Sequence, residues 1–251
     1  MRNPKSVDVN IAYREVLPGV NGFDAAAPST LGLNIGLTDR DAILMRTDAG
    51  IVTIGFTSQH LPTSRTTPLP PPLPPLVTPG GYVSIDAIVR GLPMRFVSVH
   101  LDPACASATA SSCSGPALAI QLAQTNELLQ LAGNTTLPLV FGGDFNTAAN
   151  DPSHPTYVIY QALINAGLTD AWKRRNSGFT CCQDEDLLNA KSKLSARIDL
   201  VLFRGDFDVG EVNLVGDKPS DKTPSGLWPS DHAGVTATLT GPERRRHDAR
   251  N

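Results

Sequence analysis

The stretch that most constrains this chain is Leu137-Pro138-Leu139-Val140-Phe141-Gly142-Gly143-Asp144-Phe145-Asn146. Its apolar run reads as a buried strand. Two glycines close the run, and a carboxylate and an amide follow two residues apart. On an extended segment, residues i and i+2 point to the same side. Asp144 and Asn146 are therefore expected to face one site at the strand's end, with Phe145 packed behind. The glycines allow a ligand or another backbone to come close. Taken alone, the stretch fits equally well a strand that ends in an Asp/Asn turn.

Three further stretches weight the reading toward chemistry. Phe96-Val97-Ser98-Val99-His100-Leu101 is a strand ending in His-Leu. Arg197-Ile198-Asp199-Leu200-Val201-Leu202 is a strand carrying one acid, with Arg197 as a candidate salt-bridge partner for it. Ser230-Asp231-His232 puts an acid beside an imidazole just before a final strand, Ala233 to Leu239.

In this order, the V-x-x-H-L strand, GDFN, the R-I-D strand and S-D-H resemble the endonuclease/exonuclease/phosphatase superfamily, whose fold is deoxyribonuclease-I-like. The resemblance spans residues 38–240. Gly178-Phe179-Thr180-Cys181-Cys182-Gln183 also resembles a bacterial, often exported branch of it. The resemblance implies an α+β fold, a four-layer α/β/β/α sandwich. It also implies hydrolysis of a phosphodiester or phosphomonoester with Mg²⁺, Mn²⁺ or Ca²⁺. Asp144 would orient or deprotonate water, and Asn146 would hold that water or a phosphate oxygen. His232 would donate to the phosphoryl oxygen, with Asp199 holding its ring, and His100 would be a second donor. Asp231 would be the metal ligand, a hard oxygen suited to Mg²⁺. The six side chains His100, Asp144, Asn146, Asp199, Asp231 and His232 are expected to converge on one cleft.

One departure matters. The family opens with a strand carrying an Asn, and a second strand ends in Gln-Glu, whose Glu is the main metal ligand. Neither is found here. The five glutamates are Glu15, Glu127, Glu185, Glu211 and Glu243, and only Glu15 lies early enough. The chain is therefore expected to lack the first strands and helix of the sandwich, through truncation, a misplaced start or a divergent architecture. The alternative function is a catalytically impaired relative, or a fragment, acting at most as a binding module.

Composition bounds the remaining readings. A chain of 251 residues with 41% hydrophobic and 18% charged residues suits one soluble domain with an ample core. A single domain is expected over residues 1–241, with a charged tail at 242–251. The net charge of −3 argues against a surface that coats nucleic acid, but not against a site that grips one phosphate. Nucleic acid, a nucleotide and a phospholipid head group all remain as phosphate-ester substrates. No stretch reads as a transmembrane helix, and Met1-Arg2-Asn3-Pro4-Lys5 does not open a signal peptide. Cys105 and Cys113 flank a loop of small residues and suit a local disulfide. Cys181 and Cys182 are adjacent, so a bond between them meets a specific geometric demand. A zinc site lacks C-x-x-C spacing, and free thiols remain open. Oxidised cysteines would place the chain in the periplasm or outside the cell, and reduced ones in the cytoplasm.

In chain order, Val7–Tyr13 alternates as a strand does. Ala42–Arg46 and Ile51–Thr57 read as a hairpin. Residues 68–75, rich in proline, read as a stiff exposed loop that a proline-recognising partner could dock. Tyr82–Val89 and Met94–Leu101 read as a second hairpin. A helix with Leu118, Leu122, Thr125 and Leu129 on one face stops at Gly133. A second helix has Ser153 as its cap, Pro155 in its first turn, Tyr157, Tyr160 and Ile164 on the core side, and Gly167 at its end. Arg197–Phe203 and Val209–Val215 read as a strand pair.

Overall fold

A computed structural model describes residues 41–46, 50–71, 75–105, 110–174 and 178–241. Eight strands and two helices run through them: β1 (Ile51–Thr67), β2 (Leu76–Val89), β3 (Leu92–His100), α1 (Gly115–Leu131), β4 (Leu139–Asp144), α2 (Tyr157–Asn165), β5 (Thr169–Asp170), β6 (Asp199–Arg204), β7 (Asp208–Val215) and β8 (Gly234–Thr240). Strands β1-β2-β3-β4-β6-β5, in that spatial order, form one sheet, and β7-β8 form another.

Strand period explains the layering. In β4, Leu139 and Phe141 face the helices while Val140 faces the second sheet. In β6, Leu200 and Leu202 face the helices while Val201 and Phe203 face the second sheet. Leu128 of α1 and Ile159 and Leu163 of α2 close the helix side. Val212, Val235, Ala237 and Leu239 close the other. The order is helix, sheet, sheet, three layers of an α/β/β/α sandwich among the described residues. The segments 1–40 and 242–251, on which the expected Val7–Tyr13 strand, Glu15 and the expected charged tail fall, lie outside the described residues.

The β2–β3 hairpin follows its turn chemistry. Arg90 and Gly91 both have positive φ, 52° and 89°, as a two-residue turn matched to the strand twist requires. The step from β3 to β4 is a parallel one that needs a crossover, and α1 supplies it. Val99 sits opposite Gly143, whose φ is +145°, and a side chain at Gly143 would run into the Val99 carbonyl. Glycine is therefore required one residue before Asp144.

Several local expectations are corrected. β1 is longer than expected: it runs to Thr67 and pairs with β2 along its length, while Met45 of the Ala42–Arg46 segment lies beside it, 4.0 Å from the Thr53 hydroxyl. Pro62 is tolerated because β1 is an edge strand and its register shifts between His60 and Ser64. Strands β6 and β7 are not partners. Both edges of β6 are taken, by β4 and β5, so the chain crosses to the second sheet after Gly205-Asp206. Residues 68–71 continue from β1 as a loop, and residues 72–74 lie outside the described residues. Thr156 is the residue at the N-terminus of α2; Ser153 instead bonds back to Asp151.

Arg197 does not pair with Asp199. Its Nη2 donates to Asp170 Oδ2 at 2.8 Å inside the protein, where Asp170 also accepts from the Tyr160 hydroxyl and the Trp172 N–H. Breaking a buried pair leaves an uncompensated charge. Arg197→Met is expected to cost about 3–5 kcal/mol of stability. A denaturant midpoint equal to the wild type's would refute this account of the network.

Candidate active site

Strand ends build the site. Parallel pairing of β3 with β4 sets His100 beside Asp144, and antiparallel pairing of β4 with β6 sets Asp144 beside Asp199. The segment before β8 brings His232 across, so that side-chain atoms of Asp144, Asp199 and His232 lie within 4.8 Å of one another. Residues far apart in sequence meet because three adjacent strands end at the same level.

The contacts are specific. His232 Nδ1 lies 2.9 Å from Asp199 Oδ2. A carboxylate only accepts, so Nδ1 carries the proton and Nε2 points on toward the site. His100 Nε2 lies 3.6 Å from Asp144 Oδ2, within ion-pair range but long for a hydrogen bond. Asp231 Oδ2 lies 3.9 Å from His232 Nε2. The Asp231 side chain is 58% exposed against 16% for Asp144, so the two acids meet different surroundings. Burial is the main reason that the Asp144 carboxyl is pushed up to about 6, and the charge of Asp199 adds to it. The Asn146 N–H and the two imidazoles pull the other way. His232 is raised above the ordinary imidazole value, first by its hydrogen bond to Asp199, with burial opposing.

Five of the six expected residues thus face one another. Asn146 joins them differently. The chain leaves the strand after Asp144, and Asn146 takes a positive φ of 48°. Its N–H donates to Asp144 Oδ1 at 2.7 Å, and its side-chain amide donates to the Leu101 carbonyl at 2.7 Å. The extended i, i+2 geometry fails because the Asx-type turn supplies a better local hydrogen bond. Asn146 orients Asp144 and ties it to the end of β3.

Two supporting residues escaped the sequence reading. Thr180 Oγ1 accepts from the N–H groups of both Ile198 and Asp199 at 3.0 Å, and Ala233 N–H donates to the Thr180 carbonyl. One segment thereby holds both members of the Asp199–His232 pair. Gln121 of α1, fully buried, donates through Nε2 to the carbonyls of Phe145 and Asn146 at 2.9 and 2.8 Å. A glutamine four residues before Thr125, on a face read as apolar, was the available signal. All four cysteines are paired, Cys105 with Cys113 and Cys181 with Cys182. The second pair adjoins His232.

The profile of the Endonuclease/Exonuclease/phosphatase family matches residues 17–232. The chain belongs to that family. Among solved structures it is similar to a functionally unknown conserved protein of Enterococcus faecalis V583, at 17% identity over 79% of this chain and 70% of that one, TM-score 0.54. It is similar to a mannosyl-6-phosphatase of Bacteroides thetaiotaomicron, at 17% identity over 78% and 69%, TM-score 0.53. It is similar also to D. rerio TDP2 complexed with a single-strand DNA product, at 15% identity over 78% and 71%, TM-score 0.54. No curated protein matches the chain. At these identities the likeness is one of fold, the four-layer sandwich of the family.

Asp144 generates a prediction about stability. Its folded value, about 6, lies above the ordinary 3.8, so the native carboxyl takes its proton first and the charged form penalises the fold. The penalty is full above about pH 6 and gone below about pH 4. Asp144→Asn is expected to stabilise the protein by about 1–3 kcal/mol at pH 7–8, with no gain near pH 3.5. Equal stability of the two proteins at pH 8 would contradict the assigned environment.

Proposed function

We propose that the chain is a divalent-metal-dependent phosphoesterase that cleaves a P–O ester bond with water. The observation that carries this reading is the meeting of Asp144, Asp199 and His232 at one end of the sheet, with His100 and Asp231 beside them.

Each group has a task in this reading. Asp144, with a carboxyl near 6, is charged at neutral pH and still basic enough to orient water and take its proton. The water oxygen bonds to phosphorus while the ester oxygen leaves. His232 is kept protonated by Asp199 and donates through Nε2 to a phosphoryl oxygen as negative charge builds there. His100 sits beside Asp144 as a second donor. Asn146 and Thr180 act as positioning residues through their bonds to Asp144 and to the start of β6.

The donor set fits a hard cation. Asp144 and Asp199 are like charges set opposite each other in partly buried positions, and Asp231 adds a further carboxylate at the rim. Asp231 would hold Mg²⁺ or a similar ion, which would neutralise charge on the phosphoryl oxygens. A rival reading, binding without turnover, draws on one fact. Among the described residues no glutamate reaches this cluster, and Glu127 is bonded to Thr63. The paired cysteines support work in an oxidising compartment.

The test is hydrolysis of bis(4-nitrophenyl) phosphate and 4-nitrophenyl phosphate with Mg²⁺ and then with chelator. Turnover is expected to need metal and to fall at least about 100-fold in both Asp144→Ala and His232→Ala. Turnover that survives both substitutions would defeat the assignment. Without any turnover in a folded protein, the binding-only reading stands.

The pH–rate profile should be bell-shaped. The acid limb should lie near pH 6, where Asp144 gives up its proton. The alkaline limb should lie above the ordinary imidazole range, because His232 must stay protonated and Asp199 raises it. Asp199→Asn should move the alkaline limb to lower pH. An unmoved limb would show that another group titrates there.

A further inference from the structure

A cleft of about 240 Å³ opens beside the phosphate-cleaving residues. Asn146 and His232 form one side of it, and Cys105, Cys181, Cys182 and Ile198 contribute apolar wall. Its volume falls below the ~300–1,000 Å³ of pockets for drug-sized ligands, so it suits a compact group. None of its lining residues is Asp, Glu, Lys or Arg. A cationic group entering it would lose water without finding a counter-charge.

His154 gives the cleft a polar direction. It lines the cleft and is about nine-tenths buried, 9% exposed. The Thr156 N–H donates to His154 Nδ1 at 3.3 Å, and the Thr156 hydroxyl lies 2.9 Å from the same nitrogen. That hydroxyl already accepts from the Ala148 N–H at 2.9 Å, which leaves its own hydrogen for Nδ1. Nδ1 is therefore an acceptor, and the neutral ring carries its proton on Nε2. Nε2 is buried and has no hydrogen-bond partner, the nearby sulfurs of Cys105 and Cys113 included. A buried donor without a partner costs about 1–3 kcal/mol, and an oxygen on a ligand would remove that cost once a small shift of the ring or of the cleft wall uncovers Nε2, which has under 1 Å² of exposed surface.

We propose that this cleft is the subsite for the organic part of the phosphate ester, a compact uncharged group bearing an oxygen acceptor, and that His154 is its specificity residue. The proposal rests on the phosphoesterase reading for the place of the phosphate. Sugar and polyol phosphates are the chemical class that fits. An amino-alcohol phosphate carries a cation for which the cleft has no partner, and a duplex nucleic acid is too large.

The experiment measures binding, so it stands apart from turnover. Dissociation constants are taken by calorimetry, with Mg²⁺, for inorganic phosphate, glucose 6-phosphate, ethanolamine phosphate and cyclohexylmethyl phosphate. Glucose 6-phosphate should bind at least about tenfold tighter than phosphate alone, and the other two esters about tenfold more weakly than the sugar ester. His154→Phe should remove the preference for the sugar ester and leave phosphate binding unchanged. His154→Gln, which keeps a donor, should restore part of it. The proposal is overturned if sugar ester and phosphate bind alike, if the cationic ester binds as tightly, or if the preference survives His154→Phe. If His154→Phe does not fold, the comparison of the sugar and cyclohexyl esters on the wild type decides. A wild type that binds as expected but turns over no ester would retire the phosphoesterase reading and leave the subsite in place.

Discussion

Two carboxylates placed opposite each other by the β4–β6 register are the constraint on which the site depends. An antiparallel ladder fixes cross-strand neighbours, so Asp144 and Asp199 face each other whatever else happens nearby. Like charges so placed repel, and partial burial strengthens the repulsion. The structure answers with cationic and donor groups on each side. His232 bonds to Asp199, His100 stands beside Asp144, and the Asn146 N–H points at the Asp144 carboxylate. The compensation is uneven. Asp199 has an imidazole at hydrogen-bond distance and Asp144 one only at ion-pair distance, while burial first, and the charge of Asp199 second, raise the Asp144 value.

Holding that arrangement takes polar atoms inside the protein. Gln121 reaches from α1 to the carbonyls of Phe145 and Asn146, and Gln124 reaches from the same helix to Asp102 and to the Thr63 carbonyl. The turn after β4 and the register shift of β1 around Thr63 leave carbonyls that no sheet ladder satisfies. Buried carbonyls without partners are costly, and the two glutamines remove that cost from one helix face. Thr180 does the same for the N–H groups at the start of β6. These residues fix the backbone from which Asp144 and Asp199 project.

This explains what could be read from the sequence. Strands β4 and β6, the β2–β3 hairpin and the final strand were legible because each has a buried apolar face with period two. Asp144, Asp199 and His232 were legible because they sit in short motifs at strand ends. Asn146 was placed on the right loop with the wrong geometry, since a strand pattern cannot announce where a side chain captures its own backbone. The buried face of α1 was read from its leucines, but its centre is Gln121, Gln124, Thr125 and Leu128. Hydrophobic periodicity misses polar residues buried for their hydrogen bonds. The β6–β7 pairing failed for a different reason. Adjacency in sequence predicts a hairpin, but both edges of β6 were already occupied by strands that arrive from elsewhere.

The same distribution of roles bears on how this fold takes different esters. The phosphate side of the site is made of strand ends, whose positions follow from the sheet and vary little. The cleft beside it is made of the loops after β3 and β4 and of the Thr180–Gln183 and Ala196–Ile198 segments, held by side-chain bonds and, in the loop after β3, by the Cys105–Cys113 disulfide. Loops tolerate change that a sheet register does not. A one-residue slip in β4 would turn Asp144 away from Asp199 and bury the wrong face of the strand, whereas a substitution at His154 alters one donor on a wall. In the proposed reading, substrate identity would reside where substitutions are cheapest, and the chemistry where register forbids them.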